Sequence, residues 1–196
     1  MPAAAPAVPT RDRILYASAE LLRRQGYAGT GLKQVASRSQ APFGSIYHFF
    51  PGGKEQLADE VLRTGGAFFL ALYRQILAEA PSVRDGIAAF FAGAGETLRA
   101  TDFQDACPIA TVAGEVASTN DGLRRATADV FESWLAKLAD DLASAGVAAS
   151  DARPLAFALL AQLEGAFLLC RALRTTEPME AAARAAASLI AEGGAR

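Results

Sequence analysis

Histidine and cysteine are scarce in this chain. Its 196 residues include one histidine, two cysteines, two methionines and one tryptophan. Cys107 and Cys170 lie far apart with no CxxC pair, so neither a disulfide framework nor a zinc site follows from them. Free thiols of this kind fit a reducing cytosol. The one histidine, His48, has Ser45 and Tyr47 beside it but no carboxylate within a helical turn to orient it, which argues against a catalytic base. The acid pairs Asp102/Asp105 and Asp140/Asp141 read as solvated helix ends. "GAGETL" (93–98) lacks the lysine and the preceding strand of a phosphate loop. No enzyme chemistry, metal or other cofactor is expected.

Long apolar runs are missing too. "AFFLALY" (67–73) is about as long as they get, well short of a bilayer crossing, so no membrane partner is expected. The opening "MPAAAPAVPT" has neither the basic start nor the apolar stretch of a signal peptide. Its prolines and small residues read as a disordered lead-in over 1–9. The expected location is the cytoplasm.

What is present favours helices. The chain is 52% hydrophobic, rich in Ala and Leu, and carries few β-branched runs. Period-3.6 patterning predicts an all-α protein. The first helix spans about 11–25, with Gly26 where a C-terminal glycine cap belongs. Thr30 or Gly31 opens the short helix "LKQVASRS" (32–39). "QAP" makes a tight turn, and Pro42 precedes a third helix, "FGSIYHFF" (43–50). "PGG" breaks the chain before a long helix over about 54–80. Further helices are predicted over about 82–100, 107–118, 121–145, 151–174 and 178–192, with Asn120 or Asp121 as an N-cap and Gly146 as a C-cap.

The spacing of the second and third helices is that of a helix-turn-helix. Val35, Ala36, Ala41 and Ile46 supply the small apolar contacts that let two short helices cross steeply. The third helix is then free to enter a DNA major groove. Gly44 removes a side chain where backbone and DNA would approach closely. Ser45 and His48 share a face, and Tyr47 and Lys54 can reach phosphates. Charge agrees with this placement. Residues 1–54 hold seven Lys and Arg against two acids, a local charge of +5, whereas residues 55–196 sum to −7.

The stretch 10–62 resembles the DNA-binding region of TetR-family transcriptional repressors, through "GY" (26–27), "KQVA" (33–36) and "GSIYHFFPGGKEQL" (44–57). "PGGKEQLA" (51–58), "DACPIATVAGEVA" (105–117), "FESWLAKLADDLASAG" (131–146) and "LLAQLEGAFLLCRALR" (159–174) are similar to the LmrA/YxaF-like subgroup, which includes regulators of lincomycin and other multidrug resistance. The chain departs from the pattern in three places. Phe49 stands where the family often has histidine, Phe43 where relatives often have a basic or polar residue, and Gly31 where Ser or Thr commonly touches phosphate.

The resemblance implies a helix-turn-helix domain over 10–53 and a ligand-binding and dimerisation domain over 54–196. Thr30, Lys33, Tyr47 and Lys54 would hold phosphates, while Phe43, Gly44, Ser45 and His48 would meet bases. Phe43 either presses on a thymine methyl or packs inward. Phe68, Phe91, Phe103, Cys107, Val112, Glu115, Trp134 and Phe167 would line an effector pocket, against the plainer alternatives of core packing or, for Glu115, a surface carboxylate. Leu155, Leu159, Gln162 and Ala166, on a helix apolar nearly all round, would join Leu189 in a two-fold dimer interface; a core helix of a monomer is the alternative. The implied function is a homodimeric repressor on a palindromic operator of double-stranded DNA. A small, hydrophobic effector would release it, and an efflux or resistance gene would be its target. The rival is a helical ligand-binding protein or enzyme without a DNA role, against which the basic first quarter and "GSIYHFF" argue. A regulator answering to a partner protein, or to no ligand, is a further alternative within the family.

Overall fold

Among the described residues, 8–193 of the computed structural model, every regular element is a helix. The chain order is α1 (Thr10–Gly29), α2 (Leu32–Ser39), α3 (Phe43–Phe49), α4 (Gly53–Glu79), α5 (Val83–Ala100), α6 (Pro108–Val116), α7 (Asp121–Ser144), α8 (Ala149–Leu173) and α9 (Glu177–Gly193). Of the expected lead-in over 1–9, all but Val8 and Pro9 lies outside the described residues.

Local chemistry explains the boundaries. Gly26 leaves helical geometry at φ 72° and ψ −174°, so α1 proper stops at the expected glycine and one further turn follows. Gly31 opens α2, with its N–H donating to Gln34 Oε1 at 2.9 Å. Gln40 closes α2 in the left-handed region at φ 53°. Arg13 secures that end, donating to the carbonyls of Ser39 and Gln40 at 2.8 and 3.2 Å. Gly53 restarts the chain into α4 at φ 65° after the Pro-Gly break. Ser82 caps α5 and Asn120 caps α7, each side chain accepting a backbone N–H of the first turn.

Two apolar cores result. The first joins α1–α3 to the start of α4, to α6 and to the first half of α7, through Ile14, Leu22, Val35, Ile46, Phe50, Leu62, Ile109, Val112 and Leu123. The second joins α5, α8 and α9 to the rest of α7, through Ile87, Phe91, Leu98, Leu142, Leu159, Leu163 and Met179. Phe167 packs against both. Each large side chain fully buried here is worth about 1.5–3 kcal/mol. The first core runs across the boundary expected at 53/54, so the helix-turn-helix is seated directly on α4 and α6, with α7 packed behind them.

Helix α8, at 25 residues with a window of mean hydropathy 1.6, is long and apolar enough by length and composition to cross a membrane, a test that the core helix of a soluble protein also meets. One of its faces packs on α7 and α9, burying Ala156, Leu159, Leu163 and Ala166.

A candidate nucleic-acid interface and its link to the C-terminal helices

Helix α3 is anchored by Ile46, which is fully buried, with Phe50 sealing its end. The opposite face is open. Phe43 is 44% exposed and Tyr47 50%, and their rings meet edge to face at 5.9 Å. Gly44 and His48 are exposed and Ser45 is half-buried. A Cβ at Gly44 would meet nothing within 4 Å, so internal packing does not demand a glycine there. These five residues thus form one outward surface, as expected, and Phe43 does not pack inward.

Two of the four expected phosphate holders are placed differently. Thr30 is buried, and its hydroxyl donates to Gly26 O at 2.7 Å, satisfying a carbonyl freed by the break in α1. Lys54 is half-buried, with Nζ 4.2 Å from the centre of the Tyr27 ring. Burial lowers its ammonium pKa, the field of Glu115 opposing that shift. Lys33 is exposed on α2, and Tyr47 remains open on α3.

The arginines behind this surface are engaged within the fold. Arg11 pairs with Glu60 and lies over Phe50. Arg38 and Arg24 share Glu20, whose carboxyl is held below its ordinary pKa by the hydrogen bond from Arg38 and then by the nearby arginine charges. Arg23 and Arg24 both reach Asp105, at 3.1 and 3.2 Å. The +5 surplus read from the sequence already counts Glu20, so Glu60 and Asp105 offset two of those charges and a local surplus remains.

Two acids connect the C-terminal helices to the end of α1, a role that the sequence pattern does not show. Asp105, expected as a solvated helix end, bridges Arg23 and Arg24. Glu115, expected at a ligand pocket, instead accepts the Ala28 N–H at 2.7 Å. Its Oε1 lies so close to Gly26 that a Cβ there would come within 1.8 Å of it. The partners are more than eighty positions apart, and no local pattern announces them.

The other expected pocket residues are dispersed. Phe68 is 64% exposed on α4. Phe103 lies under Arg174, whose guanidinium also holds Asp102. Val112 is sealed in the first core. Trp134 donates to Gly66 O at 3.0 Å and packs against Phe69 and Phe131. Phe91 lines a groove of about 320 Å³ between α5 and α9, with Gly95, Arg99, Met179, Ala183 and Arg184. Cys107, at the start of α6, is buried and hydrogen-bonded to Glu164 of α8. Burial pushes the Glu164 carboxyl up to about 7, against the opposing pull of the Cys107 hydrogen bond, and its Oε1 has no hydrogen-bond partner. Burial also raises the Cys107 thiol well above its ordinary value.

The expected dimer residues also divide. Leu159 and Ala166 point into the protomer's own second core. Leu155 and Gln162 are half-buried, and Leu189 is exposed. The uncovered apolar side of α8 is instead Phe157, Leu168, Leu169 and Leu173. An all-round apolar helix does not disclose which stripe faces inward, and the choice of Leu159 and Ala166 took the wrong one.

This arrangement carries a family signature in both halves. Residues 14–61 match the bacterial regulatory proteins of the tetR family, and residues 84–185 match the C-terminal domain of LmrA/YxaF-like transcriptional regulators. The chain belongs to the TetR family, in its LmrA/YxaF-like branch. It is 32% identical to the uncharacterized HTH-type transcriptional regulator YxaF of Bacillus subtilis, over 87% of this chain and 89% of that protein. It is 30% identical to the HTH-type transcriptional regulator LmrA of the same organism, over 87% and 90%. The crystal structure of a regulatory protein TetR from Rhodobacter sphaeroides has the same fold, with a TM-score of 0.83 at 22% identity, covering 91% of this chain and 97% of that one. This TetR-family chain is a transcriptional regulator rather than an enzyme.

Proposed function

We propose that the protein is a cytoplasmic, homodimeric repressor that binds a palindromic operator through α3 and is released by a small hydrophobic effector. The observation that carries this reading is the outward face of α3, with Phe43, Ser45, Tyr47 and His48 standing on a fully buried Ile46. A short helix presented this way fits a major groove, but one such helix binds weakly alone, so two half-sites are needed. The uncovered Phe157, Leu168, Leu169 and Leu173 on α8 suit a second copy. Effector binding belongs to the C-terminal helices, and the groove at Phe91 is one place to look. An effector that prefers the non-binding spacing of the two α3 helices shifts the population away from DNA. Long helix α4 carries that movement, with Glu115 and Asp105 tying α6 and its preceding loop to α1. Likeness to the LmrA/YxaF branch supports an efflux or resistance gene as the target.

Binding to a labelled duplex from upstream of its own gene, titrated with salt, tests the reading. Tight binding that Tyr47→Ala weakens at least tenfold is expected. Lys33→Ala should flatten the dependence of log affinity on log salt by roughly one unit for each phosphate it no longer neutralises. A folded protein that binds this duplex no better than a scrambled one would overturn the proposal.

A further inference from the structure

We infer that Phe43 reads the operator by apolar contact, so that each half-site presents the C5-methyl group of a thymine to its ring. This deepens the repressor reading and rests on it. Helix α3, "FGSIYHF", contains no Arg, Lys, Asn, Gln, Asp or Glu. The bidentate contacts that select guanine or adenine, and the acceptor contact to cytosine N4, are therefore unavailable from it. Ser45 and His48 can each offer single hydrogen bonds. The remaining discriminating chemistry is contact with the one apolar group on the major-groove edge, the thymine methyl.

The geometry suits that contact. Phe43 opens α3 and is 44% exposed, outside the core that holds Ile46 and Phe50. Tyr47, one turn on, meets its ring at 5.9 Å with planes 71° apart, so the two rings form a continuous ledge. At Gly44, between them in sequence, a Cβ would meet nothing within 4 Å, which leaves the groove floor room to approach the backbone beside the ledge.

Uracil scanning isolates the methyl group. A duplex enriched from a random pool by the full-length protein is remade with deoxyuridine replacing each thymine in turn, symmetrically in both half-sites. Affinity is measured for the wild type, Phe43→Ala and Phe43→Leu, with thermal unfolding confirming that all three fold. At one thymine per half-site, uracil should weaken the wild type by about fifteenfold, from roughly fourfold for each of the two methyls removed. Phe43→Ala should bind thymine and uracil duplexes equally, and Phe43→Leu should keep part of the preference. If a specific duplex is bound but no uracil matters, if the loss is the same in Phe43→Ala, or if the enriched site holds no thymine, the inference fails while the repressor reading stands. If the folded protein enriches no duplex, both fail.

Discussion

Gly26 stands at a crowded junction. It takes φ 72°, and a methyl group there would collide with the Glu115 carboxylate that accepts the Ala28 N–H. Gly26→Ala therefore combines backbone strain with loss of the tie between α1 and α6. We expect destabilisation of about 2–3 kcal/mol, read as a fall of roughly 5–10 °C in thermal midpoint. Glu164 makes a different prediction. Unfolded, it ionises near 4.5; folded, it keeps its proton to about 7. Between those values the folded state binds more protons, so stability falls as pH rises and levels off above about 7. Glu164→Gln should flatten that slope, worth on the order of 3 kcal/mol, in denaturant titrations between pH 4.5 and 8. The sequence exposed the residues on the outward face of α3, because a seven-residue helix with one anchoring Ile has few ways to face. The partners of Thr30, Lys54 and Glu115, which are Gly26 O, the Tyr27 ring and the Ala28 N–H, were not legible because they depend on how α1 bends and where α6 lands.

At the scale of elements, boundaries were legible and faces were less so. Glycine, proline and cap residues mark the ends of helices by local chemistry, and those marks survive into the structure at Gly26, Gly31, Asn120 and Gly146. The crossing of α4 and α7 was not legible, since it depends on a close approach. A Cβ at Gly66 would lie 2.5 Å from Val130 Cγ1, and Gly66 O accepts the Trp134 indole N–H. Gly66→Ala should force the helices apart at a cost of about 1–3 kcal/mol. Trp134 is the chain's only tryptophan, so its fluorescence reports the change directly as the hydrogen bond lengthens. An unchanged spectrum and melting point would show that α4 and α7 can slide without penalty.

At the scale of the whole molecule, the proposed dimer rests on the uncovered side of α8. Phe157, Leu168, Leu169 and Leu173 are each more than half exposed on the isolated chain, and a contiguous apolar face of that kind marks an interface. Leu168→Arg lies outside both cores and should spare the fold. It should convert a dimer to a monomer in sedimentation equilibrium and lower operator affinity at least a hundredfold, because a lone α3 has one half-site. A variant that stays dimeric would move the interface elsewhere. The all-helical class was legible from periodicity, whereas the two-part organisation came with the family resemblance. The shared first core was not legible, because α6 reaches the helix-turn-helix, and α7 joins behind it, only through tertiary packing.

The most direct test is selection of duplexes from a randomised pool by the purified wild-type protein, with sequencing of what is retained. Enrichment of an inverted repeat is expected, its half-site centres about one helical turn or a little more apart, and Tyr47→Ala should fail to enrich it. A folded protein that enriches no sequence, or that binds the enriched one as tightly after Tyr47→Ala, would contradict DNA recognition through α3.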